Sequence, residues 1–454
     1  MNTAQPTLPG GPHPELARVE AALRPRWPET RLEPSLTRIA ALMHVLGDPQ
    51  RGFPVIQVTG TNGKTSTARM IDELLRGFGL RVGRFTSPHL SSVTERIVVD
   101  GVALSPGRFA EVYDDLAPYL PLVDEGQPIP LSYFEVLTAM GYAAFAETPV
   151  DVAVVEVGMG GSWDSTSVAD AQIAVVTPID LDHTHYLGPG VADIAAEKAG
   201  IIKPGATAVL ALQPEPAQEK LLRRAREVDA FVAREGLEFG LVDRRIAVGG
   251  QMIAVQGLGG VYDEVFLPLH GAHQAQNAAV ALAAVEAFFG AGAQGRIDID
   301  IVRAAFGAVR SPGRLEAVRS APTTLVDAAH NPAGMRATVA GVAEAFNFQR
   351  LVVVLACMAD KDIRPMLEAL EPVTYQMVVT QNSSPRCLPA DDLATIAVDV
   401  LGAERITVET RLDDALDAAV RLAEEEVDTL SGSGILVTGS VVTAGEARLL
   451  LGRT

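Results

Sequence analysis

Along this chain, short apolar runs alternate with stretches whose apolar residues recur every three to four positions. Val55–Thr59, Arg81–Phe85, Asp151–Val157, Ile173–Val176 and Ala208–Ala211 have strand length and are rich in β-branched residues. Ser66–Gly77, Phe134–Ala146 and Ala272–Phe289 carry the helical period. Strands and helices in alternation predict a parallel sheet covered by helices. Residues 232–265 break the rhythm with shorter strand-like pieces and glycines, which reads as a small antiparallel excursion.

At Arg310-Ser311-Pro312-Gly313-Arg314 a Pro-Gly pair punctuates two regular regions. A second alternating series follows: Thr323–Asp327, Leu351–Leu355, Gln376–Thr380, Arg405–Val408 and Gly434–Gly439. The expected fold is therefore α/β: a P-loop-type, mostly parallel sheet domain followed by a smaller Rossmann-like α/β domain. The expected boundaries are a disordered tail at 1–14, a first domain at 15–310, a hinge at 311–314 and a second domain at 315–454. A length of 454 residues suits such a division.

Charge narrows the function. The net charge is −19, which argues against a nucleic-acid partner, because neutralising phosphates takes a basic face. Any phosphate must be held by local devices. The cysteines are Cys357 and Cys387, without metal-binding or disulfide-framework spacing, which fits a reducing cytoplasm. MNTAQPTLPGGPHP lacks the basic and apolar regions of a signal peptide. The most apolar helical run, Ala278–Ala293, is interrupted by Glu286 and is too short to span a bilayer comfortably, so no membrane partner is expected.

Candidate chemistry begins at Gly60-Thr61-Asn62-Gly63-Lys64-Thr65, between a strand and a helix. Small residues let backbone N–H groups close on phosphate oxygens, and the helix N-terminus adds positive potential. Lys64 would reach the outer phosphates, and the Thr65 hydroxyl would serve Mg²⁺ or phosphate. The strict GxxxxGK[ST] pattern is not met, since its first glycine falls on Val58. Thr86-Ser87-Pro88-His89-Leu90 follows the next strand, where ligands of open α/β sheets gather. Taken alone, it is an ordinary helix-start signal. Glu156 ends an apolar strand before Gly158-Met159-Gly160-Gly161, and a carboxylate there needs a partner or a metal. Asp180-Leu181-Asp182-His183-Thr184-His185 could hold a metal. A zinc hydrolase is the competing reading, although no HExxH spacing is present. One histidine could simply cap or pack, His185 before His183. Lys198 ends a helical stretch, where spacing alone favours a solvated lysine.

Taken together, VTGTNGKTS, TSPHL, SYFE, EVGMGG, DHTHYLG, AAEKAGIIKPG, HQAQNAAVAL, SPGRLE, DAAHNP and VTGS with a following GE resemble the folylpolyglutamate synthase/dihydrofolate synthase family, relatives of the Mur ligases. The resemblance is collinear from Arg51 to Glu446. It implies an ATP-binding, Mur-ligase-like central domain that also carries the folate site, and a C-terminal glutamate-ligase domain. It implies an ATP-dependent amide ligase that adds L-glutamate to dihydropteroate, to reduced folate (poly)glutamates, or to both. The implied partners are small molecules only, and the implied state is a monomer. Two Mg²⁺ sites are implied, with a monovalent cation allowed beside them.

Residue by residue, the resemblance makes Gly60, Thr61, Asn62, Gly63, Lys64, Thr65 and Ser66 the ATP loop. Asn277 falls on the adenine side, Arg314 on phosphate, and Asp327 and His330 on the second domain's side of the nucleotide. Thr65, Ser87 and Glu156 would serve the first metal. Glu156, His183 and Lys198, the last carbamylated, would surround the second. Lys64, His183, Lys198 and His330 are the implied catalytic set, and Ser132, Phe134 and Asp164 the implied folate contacts. Phe134 reads equally well as a core residue on an apolar helix. The chain departs from the family pattern at Ser162 and Ser167, where Arg and Asn are usual, at Thr65 after the lysine, and at Ala328.

Other classes fit these residues less well. A Mur ligase proper carries a nucleotide-sugar domain ahead of the loop, and 59 residues precede Gly60 here. A P-loop switch or kinase would not explain His183 with Lys198. A non-catalytic folate-binding relative would not need the metal-binding residues.

Overall fold

The computed structural model describes residues 13–28, 33–290, 292, 295–425 and 432–453. Most of the tail expected at 1–14 lies outside the described residues, and a helix, Pro14–Leu23, begins within its last position.

The first sheet has eight strands: β1 (Val55–Thr59), β2 (Val82–Phe85), β3 (Ile97–Val99), β4 (Val102–Ala103), β5 (Val152–Glu156), β6 (Ile173–Val176), β7 (Thr207–Leu210) and β8 (Phe231–Arg234). Their order is β4-β3-β2-β5-β1-β6-β7-β8. β2, β5, β1, β6, β7 and β8 run parallel, while β3 and β4 add an antiparallel edge. β1 and β5 are buried at every position, as near-continuous apolar runs in a two-sided parallel sheet should be. The helices Lys64–Gly77 and Ala272–Phe288 share one apolar cluster with Ile56, Val58, Val154 and Val175. On the opposite face, the helix Tyr133–Glu147 packs Val136, Met140 and Phe145 with Phe85 and Val155.

The antiparallel excursion is β9 (Gly240–Ala247), β10 (Gly250–Gln256) and β11 (Val261–Leu267), in the order β11-β10-β9. It starts later than expected, because Val232 belongs to β8 and pairs in parallel with Ala208. Glu286, which interrupts the apolar helix, is fully buried there and accepts the Tyr262 hydroxyl at 2.7 Å.

The third sheet contains β12 (Glu316–Ser320), β13 (Thr323–Val326), β14 (Arg350–Leu355), β15 (Gln376–Val379), β16 (Ile406–Val408) and β17 (Ser433–Thr438), ordered β12-β13-β17-β14-β15-β16. All but β12 run parallel. Cys357 is buried and Cys387 half-buried, and both are free.

One local expectation fails. Thr86-Ser87-Pro88 does not start a helix. Ser87 N–H donates to the Glu156 carboxylate at 3.3 Å, and the chain turns on. The nearby helical start is Ser92, whose hydroxyl and Glu95 form a reciprocal capping box around the 3-10 turn Val93–Arg96.

Candidate active site at the carboxyl ends of two sheets

In a parallel sheet the strand carboxyl ends open a crevice from which loops present their side chains. Here the loops after β1, β2, β5 and β6 meet the loops after β13 and β14, so the crevices of the first and third sheets share one cleft.

The loop after β1 is shaped by glycines. Gly60 has φ +147°, and a Cβ there would lie 1.9 Å from the Thr177 hydroxyl. Gly63, at φ +88°, precedes the helix Lys64–Gly77, and a Cβ on it would meet Asn277 Oδ1 at 2.6 Å. Asn277 is buried against this turn and donates to Gln274 Oε1 at 3.2 Å. Thr61 N–H donates to Pro178 O at 3.0 Å and its hydroxyl to Asp180 O at 2.9 Å, tying the loop to β6's exit. Ser66 bonds Ser311 hydroxyl to hydroxyl at 3.0 Å, which links the loop's helix to the interdomain segment.

Two ammonium groups converge on one carbonyl. Lys64 Nζ donates to Gly60 O at 3.0 Å, and Lys198 Nζ donates to the same oxygen at 2.8 Å. Lys198 is 4% exposed. Burial, then the neighbouring Lys64 charge, lowers Lys198 to about 7. Burial also lowers Lys64, against the pull of Glu156 and Asp182. The solvated-lysine reading of Lys198 is thereby excluded.

Glu156 closes the other side. It is 1% exposed, accepts the Thr65 hydroxyl at 2.8 Å and the Ser87 N–H at 3.3 Å. Burial raises its pKa, while Lys64 and the Thr65 hydrogen bond oppose the rise. Thr65, Ser87 and Glu156 therefore meet, and they are hard oxygen donors of the kind Mg²⁺ takes. Among the described residues no group of three His, Cys, Asp or Glu side chains is arranged so that it could hold a metal ion.

Asp182, which the sequence offered only as one of several possible metal ligands in its stretch, is a hub. Its carboxylate accepts Lys361 Nζ at 2.7 Å and Asn331 Nδ2 at 3.1 Å, and lies 3.6 Å from His330 Nε2 and 4.0 Å from His183 Nε2. Burial opposes its ionisation, but His330, His183 and Lys361 together hold it well below the ordinary carboxylate range. His183 has φ +52° and heads the short helix Thr184–Leu187. Burial, resisted by Asp182, lowers it to about 4, which keeps the ring neutral. His185 is exposed and stacks edgewise on Tyr186. Asn331 also donates to Asn62 Oδ1 at 3.1 Å, so the third sheet touches the phosphate-type loop directly.

Other expected residues are engaged locally. Asp327 accepts Leu315 N–H and Ala329 N–H, each at 2.9 Å, and the Thr338 hydroxyl at 2.7 Å. It orders the chain just after Arg314. Ser132 caps the helix Tyr133–Glu147 in a capping box with Glu135. Asp164 is buried and accepts Met159 N–H at 2.9 Å and Thr166 N–H at 3.0 Å. Phe134 and Asp164 flank Gly158, where a Cβ would lie 2.6 Å from the Phe134 ring and 3.3 Å from Asp164 Oδ2. Phe134 also packs 5.9 Å from the Phe85 ring centre. The Ser167 hydroxyl donates to Gly161 O at 2.5 Å and accepts Gln57 Nε2 at 3.0 Å, and Ser162 bonds Glu197 O at 3.0 Å. The two serine departures are thus built into the loop's own hydrogen bonding.

This arrangement of loop, acid and paired lysines, faced by a second parallel sheet, is that of a Mur-type ligase. Residues 125–285 match the Mur ligase middle domain and residues 313–441 the Mur ligase glutamate ligase domain. The chain is 52% identical over 459 residues to the dihydrofolate synthase/folylpolyglutamate synthase of Mycobacterium tuberculosis, covering 96% of this chain and 94% of that one. It is 31% identical over 423 residues to the Bacillus subtilis protein of the same name, covering 92% and 95%. The solved M. tuberculosis folylpolyglutamate synthase complexed with ADP superposes at a TM-score of 0.93 with 51% identity, covering 97% and 99%. The chain belongs to the dihydrofolate synthase/folylpolyglutamate synthase family. Among the described residues no helix is long and apolar enough to cross a membrane.

Proposed function

We propose that this chain joins L-glutamate to dihydropteroate, to reduced folate (poly)glutamates, or to both, driven by ATP and through an acyl phosphate. The observation that carries the reading is the convergence of Lys64, Thr65, Ser87, Glu156 and Lys198 at one strand-end crevice, with Asn331, His330 and Lys361 reaching in from the facing sheet.

A carboxylate does not acylate an amine in water without activation. The folate carboxylate oxygen attacks the γ-phosphorus, the bond to the β-phosphate oxygen breaks and ADP leaves. The glutamate nitrogen then attacks the acyl carbon, the carbon–oxygen bond breaks and phosphate leaves. The protein's work is positioning and charge neutralisation. Loop amides and Lys64 hold the outer phosphates, and Arg314 adds charge from the interdomain segment. Thr65, Ser87 and Glu156 would hold one Mg²⁺, and Glu156, His183 and carbamylated Lys198 a second, which would neutralise phosphate charge. Neutral His183 can orient groups without repelling a cation. Phe134 beside Gly158 offers the pterin an aromatic face, with Asp164 and Ser132 fixing the loop and helix around it.

Residues 311–314 serve as the hinge between a central domain at 15–310 and a C-terminal domain at 315–454. One chain supplies every group named, so the working unit is a monomer, and the place of action is the cytoplasm, where ATP and reduced folates are found.

The test is phosphate release from Mg-ATP and L-glutamate, with dihydropteroate and tetrahydrofolate as parallel acceptors. Release with both defines a bifunctional synthase, and release with one fixes the narrower activity. Release with neither overturns the reading. Lys64→Ala and Glu156→Ala should abolish release while preserving the circular dichroism spectrum, and wild-type turnover in either variant would sink the site assignment.

A further inference from the structure

A cavity beside the phosphate-type loop contains two arginines. It is lined by Thr65, Arg69 and His89 from the first sheet's loops and helix, by Arg314 from the interdomain segment, and by Ala328 and Val441 from the third sheet's side. Arg69 stands four residues after Thr65 on the helix Lys64–Gly77, so the two share a face. It is half-buried, and among the described residues neither its guanidinium nor that of Arg314 has a hydrogen-bond or ion-pair partner.

The neighbouring charges are already engaged. Arg84 pairs with Asp72. The Glu95 carboxylate, which also lines the cavity, accepts the N–H groups of Leu90, Ser91 and Ser92 at 3.0, 2.9 and 2.8 Å. His89 Nδ1 accepts Arg96 Nε at 3.0 Å. Burial and the nearby Arg84 charge lower Arg69 only to about 10, so it remains a cation at neutral pH. Glu95 and Glu156 offset part of the Arg69 charge from a distance, but the Arg69 guanidinium has no acceptor among the described residues, so with Arg314 given to phosphate it is Arg69 that is left to take an anion from outside the chain.

Position indicates which anion. Lys64 and the loop amides gather at the helix N-terminus, whereas Arg69 lies about 7.5 Å of helical rise further on. Neither Ser132, Phe134 nor Asp164 lines this cavity. We propose that Arg69, beside the phosphate-side Arg314, binds a carboxylate of the incoming amino acid, so that it selects an acidic amino acid as acceptor of the acyl group. This rests on the ligase reading above. A planar fork facing a carboxylate offers two parallel hydrogen bonds, which an ammonium cannot reproduce.

The test varies ATP, glutamate and folate acceptor in turn, reading phosphate release by wild type, Arg69→Gln and Arg69→Lys. Arg69→Gln should raise the glutamate KM at least tenfold and leave the KM for ATP and for folate within twofold. Arg69→Lys should recover part of that loss. Competing glutamine against glutamate locates the contact. Loss of the wild-type preference in Arg69→Gln assigns the side-chain carboxylate, and a retained preference with raised KM for both assigns the α-carboxylate; either supports the subsite. A rise in the KM for ATP or folate instead, or an unchanged glutamate KM, overturns it. Should Arg69→Gln fail to fold, Arg69→Lys decides: a threefold rise in glutamate KM alone supports the proposal and no change refutes it. A wild type that releases no phosphate brings down the ligase reading itself, whereas an active wild type with unaffected variants removes only this subsite.

Discussion

Lys361 Nζ lies 2.7 Å from Asp182 Oδ1, and the two side chains belong to loops of different sheets. Both are about 10% exposed, so the pair is shielded from salt. Removing one partner of such a pair leaves an uncompensated charge. Lys361→Met should cost about 3 kcal/mol by denaturant unfolding. The double variant with Asp182→Asn should recover part of it, giving a coupling energy of about 2 kcal/mol. Additive losses would mean that the contact does not join the two sheets energetically.

The departures at Ser162 and Ser167 make a second prediction. Ser167 is 3% exposed and sits between Gly161 O and Gln57 Nε2. Ser167→Ala should destabilise by about 1–2 kcal/mol, since it strands a buried carbonyl. Ser167→Asn, the family's usual residue, should also destabilise, by about 1–3 kcal/mol, through overpacking. Thermal melts decide, and an unchanged midpoint for both variants would show the loop to be looser than this packing implies.

How much of this was legible follows from what each residue does. The turn at Gly60–Thr65 could be read because its glycines, lysine and hydroxyl stand in consecutive order between a strand and a helix. Glu156 could be read because a carboxylate ending an apolar strand is costly without a partner. The alternating patterns placed both parallel sheets, since period and length are local properties. The pairing of Asp182 with Lys361 was not legible. The two are 179 residues apart, and only the facing of two strand-end crevices brings them together. Gln57 was hidden in the same way: nothing local on its apolar strand marks its role, and its partners Thr166 and Ser167 arrive more than a hundred residues later. At Ser87-Pro88 a local signal was overridden by tertiary demand, because the Ser87 N–H is committed to Glu156.

His183 gives the fold a pH dependence of definite sign. Its folded value of about 4 lies below the ordinary 6.5. Between these values the unfolded chain binds a proton that the folded chain does not, so stability must fall as pH is lowered. The depressed Asp182 carboxyl acts in the same direction, its contribution being lost only below the ordinary carboxylate range. Melts in chelator from pH 8 to pH 5 should show a falling midpoint in wild type and a flatter profile in His183→Gln. Parallel profiles would assign the dependence elsewhere.

Lys198 carries the last prediction. Its value of about 7 means that at pH 8 most of the population is the neutral amine, the form that adds to CO₂. An ordinary lysine at 10.5 offers very little neutral amine there. Once formed, the carbamate replaces a cation that Lys64 repels with an anion that Lys64 attracts, so the same Lys64 neighbour that lowers the amine would retain the product. Protein equilibrated with ¹³C-bicarbonate at pH 8 should show one carbamate carbon resonance that is absent from Lys198→Met. Lys198→Met should lose at least about 100-fold in turnover, with short carboxylic acids restoring part of it by supplying the missing anion. A resonance that survives the substitution would place the carbamate on another amine. No resonance, in an enzyme with full turnover, would show that Lys198 works as the amine itself.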